Sequence, residues 1–221
     1  MKQAIIFGTA DFAQVAKVYL EADSPYQVAA FTVHERYLPE ERELLGVPIV
    51  PFETLTESHP PAQYEMFVAL GFSKVNKNRA AVCNEARGLG YKLLSYISSQ
   101  AHHVGHFSIG DNCFIFENNV IQPFVSIGND TILWSGNHIG HHSTIGNDCF
   151  IASHIVISGH CTIGDNCFIG VNATIRDGIV VAPECVIGAG ATILKDTIPR
   201  GVYRSKATDP AEYTSDQLRN F

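Results

Sequence analysis

Ten histidines lie in this 221-residue chain, and five of them, His138, His141, His142, His154 and His160, crowd one short stretch. Imidazole titrates near neutral pH, so such a cluster suits proton transfer or metal ligation as well as a solvated surface. His141 and His142 are adjacent, and His160 follows His142 by eighteen residues. Two other stretches have the composition of anion sites. Gly8-Thr9-Ala10-Asp11-Phe12-Ala13 closes a short apolar run, where a dinucleotide fold carries its glycine fingerprint, but only one glycine is present. Gly71-Phe72-Ser73-Lys74, followed by Asn76 and Arg79, combines a hydroxyl, cations and a helix start, which suits a phosphate.

The histidines sit inside a repeat. From Ile109 to Ile193 every sixth residue is Ile, Leu or Val. Neither a helix nor a flat strand has that period; a short strand plus a corner does. Three such units close a triangular coil, and stacked coils bury each other's faces as a parallel β-helix. The segments starting at Ile109, Ile127, Ile145 and Ile163 each set Gly with Asp or Asn, as a sharp corner needs. In this register the first and fifth positions of each hexad point inward and the sixth outward. No histidine of the cluster is inward. His142 and His160 are one coil apart, so they should stack at about the strand spacing of 5 Å.

Five of the six cysteines, Cys113, Cys149, Cys161, Cys167 and Cys185, take the inward fifth position, and no CxxC occurs. They read as small core residues, not as a zinc or disulfide framework. The outward strip Phe114, Ile132, Phe150, Phe168 and Val186 is apolar over five coils and needs a cover. A second copy is the simplest cover, and a three-sided rod with one apolar face suits a homotrimer, with a dimer as the alternative.

Residues 1–97 lack the hexad. Apolar runs at Ala4–Gly8, Val28–Val33, Val47–Val50, Met66–Leu70 and Leu93–Ile97 alternate with helical stretches, as in a parallel α/β sheet. The expected organisation is therefore a Rossmann-like α/β domain over 1–97, a parallel β-helix over 98–205 and a polar tail over 206–221. A net charge of −7 argues against a nucleic-acid partner. The opening apolar run is too short for a signal peptide and no run approaches a membrane span, so a cytoplasmic protein without a membrane partner is expected.

The α/β unit, the hexads, Ser135-Gly136-Asn137-His138-Ile139-Gly140-His141-His142-Ser143-Thr144-Ile145-Gly146 and Gly188-Ala189-Gly190-Ala191 together resemble the left-handed β-helix nucleotide-sugar acyltransferases. That family includes bacterial amino-sugar N-acetyltransferases and sialic acid O-acetyltransferase-like proteins. The resemblance implies acetyl-CoA as co-substrate, a nucleotide-linked amino sugar as acceptor, and a histidine base, which His141 matches. The acid that follows this histidine in the family is replaced by His142. A further family histidine near the acyl group aligns with Phe150, and His154 is its candidate substitute.

The same likeness places the cofactor in a groove between solenoids, flanked by Gly159, Val171 and Ala189, with Lys195, Arg200 or Arg204 at its phosphates. The sugar nucleotide is expected at Gly8, Thr9 and His34, and at Gly71, Ser73 and Arg79, whose types suit its phosphates. Here Ala10-Asp11-Phe12 stands for the family's Gly-Gly-His, and His34-Glu35 for an acidic pair. Sugar O-acetylation stays open. So does a metal-dependent solenoid like the γ-class carbonic anhydrases, although spacing shows no third ligand and that class leaves the α/β unit unexplained. No metal is expected.

Overall fold

The structure is a computed structural model and describes residues 1–217. Its N-terminal part is a six-stranded sheet in the order β3-β4-β2-β1-β5-β6. The strands are β1 (Lys2–Phe7), β2 (Tyr26–Val33), β3 (Glu43–Leu44), β4 (Val47–Pro51), β5 (Tyr64–Val68) and β6 (Lys92–Leu93). All pair in parallel except β3 with β4. The near-continuous apolar β1 and β5 are the central strands, covered on both faces as parallel strands require. Helix α1 (Asp11–Asp23) packs on one side through Ala13, Ala16 and Leu20, and α3 (Lys77–Gly88) on the other through Val82, Cys83 and Ala86. The one-turn α2 (Leu55–Ser58) lies between β4 and β5.

The strand expected over Leu93–Ile97 is two strands. Lys92–Leu93 ends the α/β sheet, whereas Tyr96–Ile97 opens the solenoid by pairing with Phe114–Ile115. From there two-residue strands follow at six-residue intervals and form three flat sheets. The first runs from Tyr96–Ile97 to Val202–Tyr203, the second from His102–His103 to Thr192–Ile193, and the third from Ser108–Ile109 to Val180–Val181. Partners are eighteen residues apart, as in Phe114↔Ile132 and His138↔Val156, except at the last pair of the first sheet, Val186↔Val202. This is the hexapeptide-repeat, left-handed β-helix. The Ile, Leu and Val of the hexads and the five inward cysteines form one continuous core.

The corners are built differently from the sequence expectation. Every sixth residue from Asn112 to Gly190 has a positive φ, between 52° and 79°. The left-handed residue is therefore the fourth of each hexad, commonly Asn, Asp, His or Gly, the types that tolerate it. The glycine at the second position serves close packing between coils instead. A Cβ on Gly110 would lie 2.2 Å from Asn129 Oδ1, and one on Gly146 2.4 Å from Asp165 Oδ1. Those side chains form a ladder along the corner: Asn129 Oδ1 accepts from Asp111 N at 2.9 Å, Asn147 Oδ1 from Asn129 N at 2.8 Å and Asp165 Oδ1 from Asn147 N at 2.7 Å.

The apolar strip on the first sheet is covered within the chain, which corrects the expectation that a second copy covers it. Phe114, Ile132 and Phe150 share a buried cluster with Ala4, Ile6, Phe12 and Phe67 of the α/β part, and Phe72 packs on Phe150 and Phe168. The reason is connectivity: β6 ends at Leu93 and the first strand of that sheet begins at Tyr96, a link that keeps the α/β layer beside it.

Candidate active site

Two concavities and one corner hold the polar groups with chemical potential. The larger concavity is a cleft of about 780 Å³ beside the C-terminal ends of β1 and β5, where open α/β sheets bind ligands. Gly8, Thr9, His34, Gly71 and Ser73 line it, together with Arg36 and Lys74. Gly8 must be glycine: its φ is 122° and a Cβ would lie 3.0 Å from Ala69 O. His34 is held between two carboxylates, with Nδ1 3.2 Å from Glu53 Oε1 and Nε2 3.3 Å from Glu85 Oε2. Glu53 also accepts from Glu35 N at 2.9 Å, and these bonds outweigh partial burial to hold its carboxyl below the usual range. A smaller, apolar-walled concavity of about 220 Å³ adjoins the cleft, sharing Asp11, Phe12 and Gly71 and reaching Trp134 and Phe150 of the solenoid.

Arg79 is not part of the cleft, which corrects its expected place at a phosphate. It is fully buried. Its Nε donates to Asp130 O at 3.0 Å and its Nη2 to Cys149 O at 3.1 Å, two carbonyls on successive coils. Its Nη1 donates to Gly71 O at 3.0 Å and Asn76 Oδ1 at 3.2 Å. Cys149 O also accepts from Ile132 N at 3.0 Å, so the guanidinium takes up its second acceptor position and, with Asp130 O, ties two coils to one rigid fork. Nearby, Arg87 binds Asp130 through both nitrogens at 3.0 and 2.9 Å. The α/β part thus covers the first sheet and the corner between the third and first sheets.

The histidines lie elsewhere. His141, His142 and His160 stand on the corner between the second and third sheets. The Nδ1 atoms of His141 and His142 are 3.1 Å apart. His142 and His160 stack at 4.9 Å with 13° between planes, close to the spacing expected of them. His160 supplies the third nitrogen that spacing alone did not reveal: one ring nitrogen from each of the three lies within 4.8 Å of the others. His154 is apart from this group, on the corner between the first and second sheets, where its ring covers Gly136 and Nδ1 would be 2.6 Å from a Cβ there.

Asp177 escaped the sequence reading. It stands two coils beyond His141 in the same position, with Gly159 between them. A Cβ on Gly159 would lie 3.0 Å from His141 Nε2 and 3.0 Å from Asp177 Oδ1, so the missing side chain leaves the imidazole and the carboxylate facing one small gap. The available signal was the column His141, Gly159, Asp177, Lys195 at a constant interval of eighteen.

The proposed cofactor residues divide between two corners. Gly159 and Lys195 share the corner of His141, whereas Val171 and Ala189 lie with His154 between the first and second sheets. On one solenoid these edges are separated by the whole second sheet.

Fold and repeat together define a class, an α/β domain joined to a hexapeptide-repeat left-handed β-helix. The bacterial transferase hexapeptide family (six repeats) matches residues 108–141, 124–159 and 142–177, and the hexapeptide repeat of succinyl-transferase matches 161–195. Together these models span residues 108–195, the solenoid, and in that repeat the chain is similar to the hexapeptide-repeat, left-handed β-helix acyltransferases. No curated protein sequence gives a match.

Among solved structures, PerB from Caulobacter crescentus is similar at 22% identity and a TM-score of 0.82, covering 94% of this chain and 98% of PerB. The acetyltransferase domain of PglB from Neisseria gonorrhoeae FA1090 is similar at 23% identity and 0.79, covering 91% and 95%. WeeI from Acinetobacter baumannii AYE follows at 18% and 0.67, covering 87% and 96%. At such identities the likeness is one of fold. Among the described residues no helix is long and apolar enough to cross a membrane.

Proposed function

We propose that this chain transfers an acetyl group from acetyl-CoA to the amino group of a nucleotide-linked amino sugar, with His141 as general base and a neighbouring copy completing the site. The observation that carries the reading is the gap between His141 Nε2 and Asp177 Oδ1 across Gly159. A sugar amine arrives protonated. Asp177 attracts the ammonium, and His141 accepts the proton that must leave before the lone pair can attack the thioester carbonyl. A hydroxyl acceptor needs the base but has no charge for Asp177 to recognise. The nitrogen of the tetrahedral adduct gives up its second proton as the C–S bond breaks, that proton leaves with CoA as its thiol, and no covalent enzyme intermediate is needed. The bond between the His141 and His142 Nδ1 atoms orients the base in place of the family's acid.

The nucleotide belongs in the 780 Å³ cleft, with Arg36, Lys74 and Ser73 as phosphate partners. PerB was solved with CoA and GDP-perosamine, and the PglB domain with acetyl coenzyme A, which supports both ligand classes. In one chain that cleft lies over the first sheet, away from the corner bearing His141. The two candidate cofactor edges are likewise on different corners. Both separations vanish when the His141 corner of one copy faces the other edge of the next. That arrangement turns the second sheet toward a threefold axis, and its outward column, Val120, His138, Val156 and Thr174, has side chains compact enough to pack there.

The test is incubation with acetyl-CoA and a panel of nucleotide amino sugars and their hydroxyl counterparts, following thiol release and product mass. Release with an amino sugar, giving an amide, is the expected result. Ester formation on the hydroxyl compounds at equal rates would overturn the role of Asp177, and no release with any acceptor would overturn the transferase reading of this chain.

A further inference from the structure

Successive side chains on a strand point to opposite faces, so neighbouring histidines there cannot share an ion. At the corner between the second and third sheets they can. His142 has a φ of 58°, and this left-handed turn swings its ring back beside that of His141. His160 repeats the conformation one coil on, with a φ of 55°, and the backbone fixes the offset through His160 N donating to His141 O at 2.9 Å. Its ring stacks on His142 and meets His141 edge-on at 5.0 Å. On the other flank of His142 lies Phe124, 4.7 Å away and without a ligand atom, so the stack supplies two imidazoles and His141 beside it the third.

Zinc holds imidazole nitrogens at ~2.0–2.1 Å in tetrahedral geometry, which sets them about 3.3 Å apart. The His141–His142 pair, at 3.1 Å, already has that separation. The third nitrogen lies within 4.8 Å, a distance that rotation of an exposed side chain closes. Three imidazoles open to water on one side are the donor set of zinc, cobalt, nickel or copper ions and not of magnesium or calcium.

We propose that His141, His142 and His160 bind one divalent ion of the zinc class per chain, leaving a coordination position for water. Because the ion takes a nitrogen of His141, metal occupancy and proton transfer by that residue exclude each other. The site does not depend on the acyl-transfer reading, since binding is measured directly.

The experiment titrates metal-free protein with Zn²⁺ by calorimetry and with Co²⁺ by visible absorption. One ion per chain and the absorption of a nitrogen-ligated, low-coordinate cobalt are expected. His160→Asn and His142→Asn keep the corner, because asparagine holds the same left-handed conformation at Asn112, Asn166 and Asn172. Circular dichroism of both variants should match the parent, and each should bind Zn²⁺ at least tenfold more weakly. A parent protein that takes up no zinc overturns the site. So does uptake that survives unchanged in both variants, which would place the ion elsewhere on the surface.

Discussion

At the scale of single residues the chemistry rests on two side chains of one column, His141 and Asp177. His141→Asn should preserve CoA binding and lower kcat by roughly 10²- to 10⁴-fold, the usual contribution of a positioned base. Unaltered turnover with the true acceptor would show that another group takes the proton. Asp177→Asn removes the counter-charge but not the base. It should reduce kcat/KM for an amino-sugar acceptor by about tenfold, or ~1.4 kcal/mol of differential attraction, while leaving the KM for acetyl-CoA unchanged. Equal losses toward both substrates would mean that the carboxylate only supports the coil.

At the scale of elements, the contact of α3 with the solenoid corner controls stability. Arg79→Lys keeps a charge but cannot reach Asp130 O, Cys149 O and Gly71 O together. It should cost on the order of 3 kcal/mol, as loss of a buried, multiply bonded charge does. Thermal melting checks this, and a raised KM for the sugar nucleotide without a lowered Tm would return Arg79 to substrate binding.

The same corner holds Asp148, whose Oδ1 has no hydrogen-bond partner among the described residues. Burial, then the charge of Asp130, pushes its pKa up to about 6 from an ordinary 3.8. With the folded pKa raised, the protonated form is favoured in the fold, so stability from this group falls as pH rises from about 4 through 6. Asp148→Asn, which suits the φ of 56° there, should therefore raise Tm at pH 7–8 but not at pH 4. The gain should be roughly 2–4 °C, as about 1 kcal/mol produces in a chain of this size, part of the carboxyl being hydrated. A gain at pH 4 equal to that at pH 7 would show that charge is not the cause.

At the scale of the molecule, assembly follows from which faces remain open. The first sheet is occupied by the α/β part, so Phe150→Glu should unfold or aggregate the chain instead of yielding a folded monomer, a charge being forced into its interior. Val156 lies outward on the second sheet and is 39% exposed. Val156→Glu should convert a trimer into a folded monomer by light scattering and abolish turnover with it. A monomeric parent with full activity would refute the shared site.

The hexad was legible from residue types alone because each coil repeats the same inward and outward positions, and a period of six admits one packing. It determined the β-helix, the inward cysteines and the stacking of His142 on His160. Gly8, Thr9, His34, Gly71 and Ser73 line one cleft, since a parallel sheet brings its strand ends to one edge. Three matters depended on contacts between residues far apart in the chain. Arg79 had the composition of a phosphate ligand, but only the docking of α3 shows that backbone carbonyls surround it. The apolar strip required a cover, and the passage of β6 into the first sheet, not the strip itself, determined that the cover is the chain's own α/β layer. Asp177 is thirty-six residues from His141, and their common gap exists only because two stacked coils bring Gly159 between them without a side chain.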